Sequence, residues 1–329
     1  MTGYILRRLA AMALTFWAMT FVAFIIMELP PGDFASTRAS EMSAAGVKVD
    51  PAMVERLREM YQLDAPVLVR YFSWFSHVLR GDFGYSLAYN TPVNQLIAAQ
   101  LPNTLLVDGL TLVFMWLIAV PIGIYSAVKQ YSPGDYIASM LGFIGVAIPS
   151  FLLALLLMWI AYMQFGVVLG GLQSQEFAGA PWSWPKLGDL ASHLWAPILV
   201  AGAAGMASLI RVTRANLLDE LKKPYVATAR AKGLGEWHLI LKYPVRMAMS
   251  PLVSSIGWVL PNMISSATVV AIVMNMPTLG PLLFSALMIQ DMFLAGGVLV
   301  VMAILTLVGT LISDILLFWL DPRVRASAH

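Results

Sequence analysis

The sequence contains no cysteine and few charged side chains. Cysteine is absent from its 329 residues, which excludes disulfide bonds, thiolate metal sites and cysteine nucleophiles. Asp, Glu, Lys and Arg together make up only 12% of the chain, whereas 59% of the residues are hydrophobic. Soluble domains carry roughly 25% charged residues. The composition therefore excludes a soluble enzyme and predicts an all-α membrane protein.

Six apolar stretches are long enough to cross a membrane, for which a helix needs about 20 residues. They cover residues 9–27, 102–128, 136–164, 190–210, 251–276 and 292–313. The first follows two arginines, as the apolar core of a signal peptide does, but it is too long and no small-residue cleavage site follows it. We predict six transmembrane helices in three sections: the N-terminal segment with the first helix (1–30), an extramembrane segment (31–100) and a five-helix core (101–329).

The distribution of Lys and Arg predicts the orientation. With the N-terminus inside, the inner segments hold 13 of the 20 basic residues. Both termini are then cytoplasmic, and segment 31–100 is periplasmic. Residues 51–62 and the aromatic stretch 67–79 have the spacing of amphipathic helices, and the second is suited to the membrane interface. No cluster of histidines or carboxylates has ligand spacing, so no metal site is predicted.

The most informative segment is the predicted cytoplasmic loop 211–250, which carries eight basic residues. Pro224 suits the first turn of a helix, and small side chains recur over residues 225–232. Two glycines, Gly233 and Gly235, then separate this helix from a second short one. Such a pair of helices could fit a groove on another protein, or it could be a basic loop beside anionic lipid head groups. Composition alone leaves both interpretations open.

The segment YVATARAKGL in this loop resembles the signature loop of binding-protein-dependent ABC importer permeases of the dipeptide/oligopeptide type. Ala227, Thr228, Ala229 and Gly233 fall on signature positions, with alanine where the signature has glutamate. Other segments resemble the same family in order and spacing, so that the resemblance covers nearly the whole chain. They are YILRRL at the start, Pro31–Gly32–Asp33, GDFGYSL (81–87), PV (92–93), LPNTL (101–105), IPSF (148–151) and Asp321–Pro322–Arg323.

The resemblance implies a type I ABC importer permease fold, with a periplasmic helical insertion after the first helix. It also implies that the loop contains a coupling helix, which docks in a groove of an ATP-binding subunit. Gly233 is expected in left-handed backbone just past the end of this helix, and Ala229 is expected to face the partner closely. The residues assigned to coupling are Tyr225, Ala227, Thr228, Ala229, Arg230, Ala231, Lys232, Gly233 and Leu234.

The expected partners also follow from the resemblance. They are a second permease subunit that is a paralogue, two ATP-binding subunits, a periplasmic solute-binding protein and the lipid of a bacterial inner membrane, with no nucleic acid. The chain has no G-x-x-x-x-G-K-[ST] phosphate loop. We therefore expect it to be no enzyme and to hold no cofactor, with ATP and Mg bound by the partner subunits.

The solute is left open between an oligopeptide and an oligosaccharide. Typical peptide permeases have a glutamate and a phenylalanine after the fifth span, where this sequence has Ala271 and Met274. Thr278 stands where a glycine is usual, and Tyr243 and Met247 replace a histidine and an asparagine after the signature. Relatives of this architecture carry oligosaccharides and other solutes as well as peptides.

Uncharged polar side chains in the fifth span predict a path for a neutral or zwitterionic solute. Asn262, Ser265 and Ser266 are assigned to that path, with Asp108 of the second span as a further candidate. Hydrogen bonding between helices is the alternative for the first three, and solvation at the interface is the alternative for Asp108.

Two other classes of membrane protein compete with the importer. A secondary transporter or channel would need no ATPase, but it usually carries charged relay residues or an inverted repeat. An intramembrane enzyme would need a catalytic pair, and the predicted fifth span, which contains Ser265 and Ser266, contains no His or Lys. Both classes fit the sequence less well than a permease does.

Overall fold

A computed structural model describes the backbone of residues 2–28, 65–86 and 88–320, together with the isolated positions 43, 52 and 55. Side chains at 2–6, 27, 254–264, 319 and 320 lie outside this description. So do the family-like segments 31–33 and 321–323, and most of the predicted helix 51–62.

Helices make up most of the described chain, which confirms the all-α prediction. The first part holds α1 (Thr2–Glu28), α2 (Val67–Leu79), β1 (Tyr85–Ser86), β2 (Thr91–Pro92) and α3 (Val93–Val128). Next come α4 (Pro133–Ala147), α5 (Ser150–Phe165), a 3-10 turn (Gln175–Phe177), α6 (Trp184–Leu221), α7 (Pro224–Ala231) and α8 (Glu236–Lys242). The last are α9 (Pro244–Val273), α10 (Leu279–Met288) and α11 (Met292–Leu320). The strands form one small antiparallel hairpin, with Tyr85 opposite Pro92.

The long apolar helices agree with the predicted spans. Within the described part of the chain, α1, α3, α6 and α11 each contain a segment long and apolar enough to cross a membrane. The bent pair α4–α5 makes a fifth candidate. α9 covers most of the predicted span 251–276, although the side chains at its centre are not described.

The third predicted span, 136–164, is two helices rather than one. α4 and α5 meet at an angle of 104°. Pro149 has no N–H to continue a helix, and its ring disfavours helical backbone at the preceding residue. Ile148 is accordingly extended, with ψ 122°, and ends α4. The expectation of a single helix over this stretch is therefore wrong.

The chain forms two compact units. One contains Met1–Pro102 and Thr278–Leu307, and the other contains Asn103–Pro277 and Val308–His329. This grouping reflects packing within the chain alone. It does not test the predicted sections 1–30, 31–100 and 101–329, which stay a prediction.

The first unit contains an aromatic core between α1 and α2. Tyr71 is fully buried, stacks on Phe75 with ring centres 5.6 Å apart and meets the edge of Phe21 at 5.1 Å. Its hydroxyl shares a 3.1 Å hydrogen bond with Thr20. The buried residues of α2 recur at helical spacing, as its amphipathic sequence predicts.

The second unit relies on close contact between α3 and α6. A Cβ atom at Gly205 of α6 would lie 2.5 Å from the sulfur of Met115 in α3. In return, a Cβ atom at Gly123 of α3 would lie 2.6 Å from Cβ of Thr213 in α6. Each helix thus has a notch that a side chain of the other fills, which explains the small residues in the fourth predicted span.

Candidate functional site

The candidate coupling segment is a helical hairpin over residues 224–242, made of α7 and α8. Pro224 occupies the first turn of α7, as its sequence position predicts. The helix ends where the N–H of Gly233 binds the carbonyl of Arg230 at 3.0 Å. Gly233 has φ +77°, the left-handed backbone expected from the sequence. Gly235 then precedes α8 with an ordinary φ of −60°.

The interior of the helical hairpin is apolar. Val226 and Ala229 of α7 form a buried cluster with Leu239 and Ile240 of α8. Ala229 is only 9% exposed, because it lies one helical turn from Val226 on the face that meets α8. The expectation that Ala229 faces a partner is therefore wrong. Its small size serves the contact between the two helices of the hairpin.

The other assigned coupling residues lie on or near the outer surface. Those exposed are Tyr225, Ala227, Thr228, Arg230, Ala231, Lys232 and Gly233, while Leu234 is half-buried. The guanidinium of Arg230 donates hydrogen bonds to the carboxylate of Glu236, which lowers the pKa of Glu236. The hydroxyl of Tyr225 donates to Glu220 at 2.6 Å. Desolvation raises the pKa of Tyr225, and the hydrogen bond to the negative carboxylate of Glu220 raises it further. The exposed surface is thus ordered by local polar contacts.

An apolar layer supports the base of the helical hairpin. Three of its members, Val128, Leu221 and Val245, pack against the buried cluster of the hairpin. The same three side chains also pack with a second set of buried residues. We call the combined set the bracing layer; it contains Ala127, Val128, Leu217, Leu221, Val245 and Ala248. The hairpin is therefore braced on α3, α6 and α9.

An ion pair between a buried carboxylate and a half-buried arginine lies beside the bracing layer. Asp135, in the first turn of α4, is 3% exposed and receives two hydrogen bonds of 2.9 Å from the guanidinium of Arg214 in α6. No motif in the sequence marks this pair, because 79 positions separate the two residues. A lone Asp in the first turn after Ser132 carries only the ordinary signal of a helix N-terminus.

The residues assigned to the solute path lie on two helices of the second unit. Asp108 lies on α3 and is half-buried. Ser265, on α9, is exposed, and Ser266 beside it is half-buried. The side chain of Asn262 is outside the described residues. The participation of all four in a path stays a prediction.

Known proteins resemble this chain along its whole length. The family described as "Binding-protein-dependent transport system inner membrane component" matches residues 119–326. A second family, described as the N-terminal part of such membrane components, matches residues 1–108.

Curated relatives give the same result. The oligopeptide transport system permease protein AppB of Bacillus subtilis is 34% identical over 329 residues, covering 99% of this chain and all of the relative. The glutathione transport system permease protein GsiC of Salmonella typhimurium is 31% identical over 325 residues, covering 99% of both chains. The peptidoglycan transport system permease protein YejB of Agrobacterium fabrum is 29% identical and covers 98% of both. The chain belongs to the inner membrane components of binding-protein-dependent transport systems and is a multi-pass permease subunit of an ABC importer.

Proposed function

We propose that this permease moves a peptide-containing solute from a periplasmic binding protein into the cytoplasm. The names of the three relatives support this choice, because oligopeptides, glutathione and peptidoglycan all contain amide-linked amino acids. Their similarity extends over at least 98% of this chain. An oligosaccharide was the alternative from the sequence, and the names of these relatives favour the peptide class.

The proposed complex contains this chain, a paralogous permease, two ATP-binding subunits and a solute-binding protein. ATP and Mg are held by the ATP-binding subunits, and this chain has no catalytic residue and no cofactor of its own. Both termini are cytoplasmic, in keeping with the 13 basic residues of the inner segments. The helical hairpin then lies on the same side as the ATP-binding subunits.

The proposed mechanism is alternating access driven through the helical hairpin. ATP-dependent closure of the partner subunits moves the exposed surface of α7, which includes Thr228 and Ala231. The bracing layer passes that motion to α3, α6 and α9, because its side chains fill the space between the hairpin and these helices. Closely packed interiors transmit displacement rather than absorb it. This motion opens the solute path, which is bordered by Asn262, Ser265, Ser266 and Asp108.

Reconstitution in lipid vesicles tests the proposal. The complete complex is combined with its binding protein, and uptake of labelled peptides and oligosaccharides is measured with and without ATP. We expect uptake of peptides that requires ATP, the binding protein and the ATP-binding subunits together. Uptake that persists without the ATP-binding subunits would instead indicate a secondary transporter or channel. Uptake restricted to oligosaccharides would contradict the proposed solute class.

Orientation is tested separately. A phosphatase that is active only in the periplasm, or a fluorescent protein that folds only in the cytoplasm, is fused after His329. We expect fluorescence and no phosphatase activity. The reverse result would overturn the proposed topology and with it the side on which the helical hairpin lies.

A further inference from the structure

Four hydrogen bonds converge on the buried carboxylate of Asp135. Nε and Nη2 of Arg214 donate to its two oxygens at 2.9 Å each. The hydroxyl of Ser126 donates to Oδ1 at 2.6 Å, and the backbone N–H of Tyr131 donates to Oδ2 at 2.9 Å. Ser126 is fully buried. Such a bidentate, charge-assisted arrangement fixes the orientation of both partners as well as their distance.

The three donor residues and the acceptor lie on separate segments of the chain. Ser126 lies in the last turn of α3, and Tyr131 lies in the connection from α3 to α4, with φ +64°. Asp135 lies in the first turn of α4, whose N-cap is Ser132. Arg214 lies on α6, seven residues before its end. The carboxylate therefore ties the end of α3 and the start of α4 to α6.

The polar cluster is continuous with the bracing layer. Ala127 and Val128 directly follow Ser126 in α3, and Leu217 lies about one helical turn beyond Arg214 in α6. The bracing layer, as defined by its residues, includes no side chain of α4. Further along, α4 packs directly on α6, where a Cβ atom at Gly145 would lie 3.1 Å from the carbonyl oxygen of Ala203. The carboxylate of Asp135 adds a polar link at the start of α4, next to the bracing layer.

We propose that Asp135 and Arg214 are a positioning pair, which makes the start of α4 follow the bracing layer when the helical hairpin moves. This inference rests on the proposed function and adds to it the route by which the motion reaches α4. The pair is suited to this task because the carboxylate of Asp135 is buried, so that loss of the guanidinium would leave an uncompensated buried charge. Lysine does not replace arginine here, since it lacks the planar fork that binds both oxygens.

The decisive experiment compares Arg214→Lys with Arg211→Lys in the reconstituted complex. Arg211 is exposed on the same helix about one turn earlier, so it receives the same chemical change without a buried carboxylate. We measure complex yield, basal ATP hydrolysis, hydrolysis stimulated by loaded binding protein, and solute moved per ATP. For Arg214→Lys we expect normal yield and basal hydrolysis, but at least about a fivefold loss of solute per ATP, the lower range of allosteric coupling. Arg211→Lys should behave as the wild type.

A purely structural role predicts a different pattern. Loss of folding would reduce yield, hydrolysis and uptake together, and would leave solute per ATP unchanged in the complexes that survive. Ser126→Ala provides a milder variant, because it removes one donor and no charge. We expect it to lie between the wild type and Arg214→Lys in solute per ATP.

The double exchange Asp135→Arg with Arg214→Asp gives a further check. It restores opposite charges, but the backbone N–H of Tyr131 would then face a guanidinium, which accepts no hydrogen bond. We expect no rescue of solute per ATP, and full rescue would contradict the proposed geometry. If the wild type imports and Arg214→Lys matches Arg211→Lys, this inference alone fails. If the wild type shows no ATP-dependent uptake, the proposed function fails and the inference fails with it.

Discussion

Ser86 donates a 2.6 Å hydrogen bond to the carboxylate of Asp291, although 205 positions separate the two residues in the chain. Asp291 is 3% exposed and directly precedes α11. Its other oxygen accepts the backbone N–H of Leu294 at 3.1 Å, which caps the first turn of that helix. One carboxylate thus joins the β hairpin of the first unit to the start of a long apolar helix.

We expect Asp291→Ala to lower the free energy of unfolding by about 2–3 kcal/mol, because it removes the cap and leaves the hydroxyl of Ser86 without its acceptor. Ser86→Ala removes the hydrogen bond to Asp291 and the longer one that the hydroxyl accepts from the N–H of Tyr89 at 3.2 Å, and it should cost about 1–2 kcal/mol. Thermal unfolding of the purified complex in detergent measures both. Asp82→Asn is the control, since Asp82 accepts only an exposed hydrogen bond from the N–H of Gly84. Equal melting temperatures for the two alanine variants would contradict this account.

Gly233 and Gly235 offer a matched comparison in the helical hairpin. A Cβ atom at either position would meet no atom within 4 Å, but only Gly233 has a positive φ. Gly233→Val should therefore be strained by about 1–3 kcal/mol, whereas Gly235→Val should not. We expect normal membrane insertion for both, with loss of uptake and of stimulated ATP hydrolysis for Gly233→Val alone. Gly233→Asn, which tolerates this backbone, should keep most activity. Equal activity of the two valine variants would show that the turn geometry does not matter.

Ala229 and Ala227 separate the interior of the helical hairpin from its outer surface. Ala229→Trp should overpack the buried cluster with Leu239 and Ile240, at a cost of about 1–3 kcal/mol, and so loosen the hairpin even without partner subunits. Limited proteolysis of the isolated permease measures this effect. Ala227 is exposed, so Ala227→Trp should leave the proteolysis pattern unchanged and reduce co-purification of the ATP-binding subunits. Faster proteolysis of Ala227→Trp than of Ala229→Trp would reverse the assignment of the two faces.

The chain has no native thiol, so single cysteines can test the solute path. Ser265 is exposed, whereas Ala267, two residues along the same helix, is 7% exposed. We expect Ser265→Cys to react with a small water-soluble maleimide at a rate that changes with the nucleotide state of the complex. Ala267→Cys should react slowly in every state. If neither Ser265→Cys nor Ser266→Cys reacts in any state, the two serines do not border a water-filled path.

The membrane spans and the ends of α7 could be predicted because their sequence signals are local. Mean hydropathy identifies long spans because each span must satisfy the same membrane thickness independently of its neighbours. Pro224 and Gly233 mark the ends of α7 because their backbone preferences act within one turn. The break at Pro149 was also signalled locally, by proline chemistry, but hydropathy alone does not register it.

Contacts between distant parts of the chain were not predictable from one sequence. The hydrogen bonds between Asp135 and Arg214 join residues 79 positions apart. The bond between Ser86 and Asp291 joins residues 205 positions apart. No spacing rule in the sequence links residues so far apart. The direction of Ala229 was missed for a related reason. A small residue on a short helix suits either a close partner protein or a close neighbouring helix, and only the position of α8 decides between them.

The two glycine notches between α3 and α6 limit how these helices can travel. Met115 of α3 enters the notch at Gly205 of α6, and Thr213 of α6 enters the notch at Gly123 of α3. Each helix therefore inserts a side chain into the other. The paired positions increase together along both helices, which therefore run in the same direction. Neither helix can slide lengthwise past the other unless both side chains first withdraw. A displacement delivered to α6 should consequently carry α3 with it, so that the two helices move as one rigid pair.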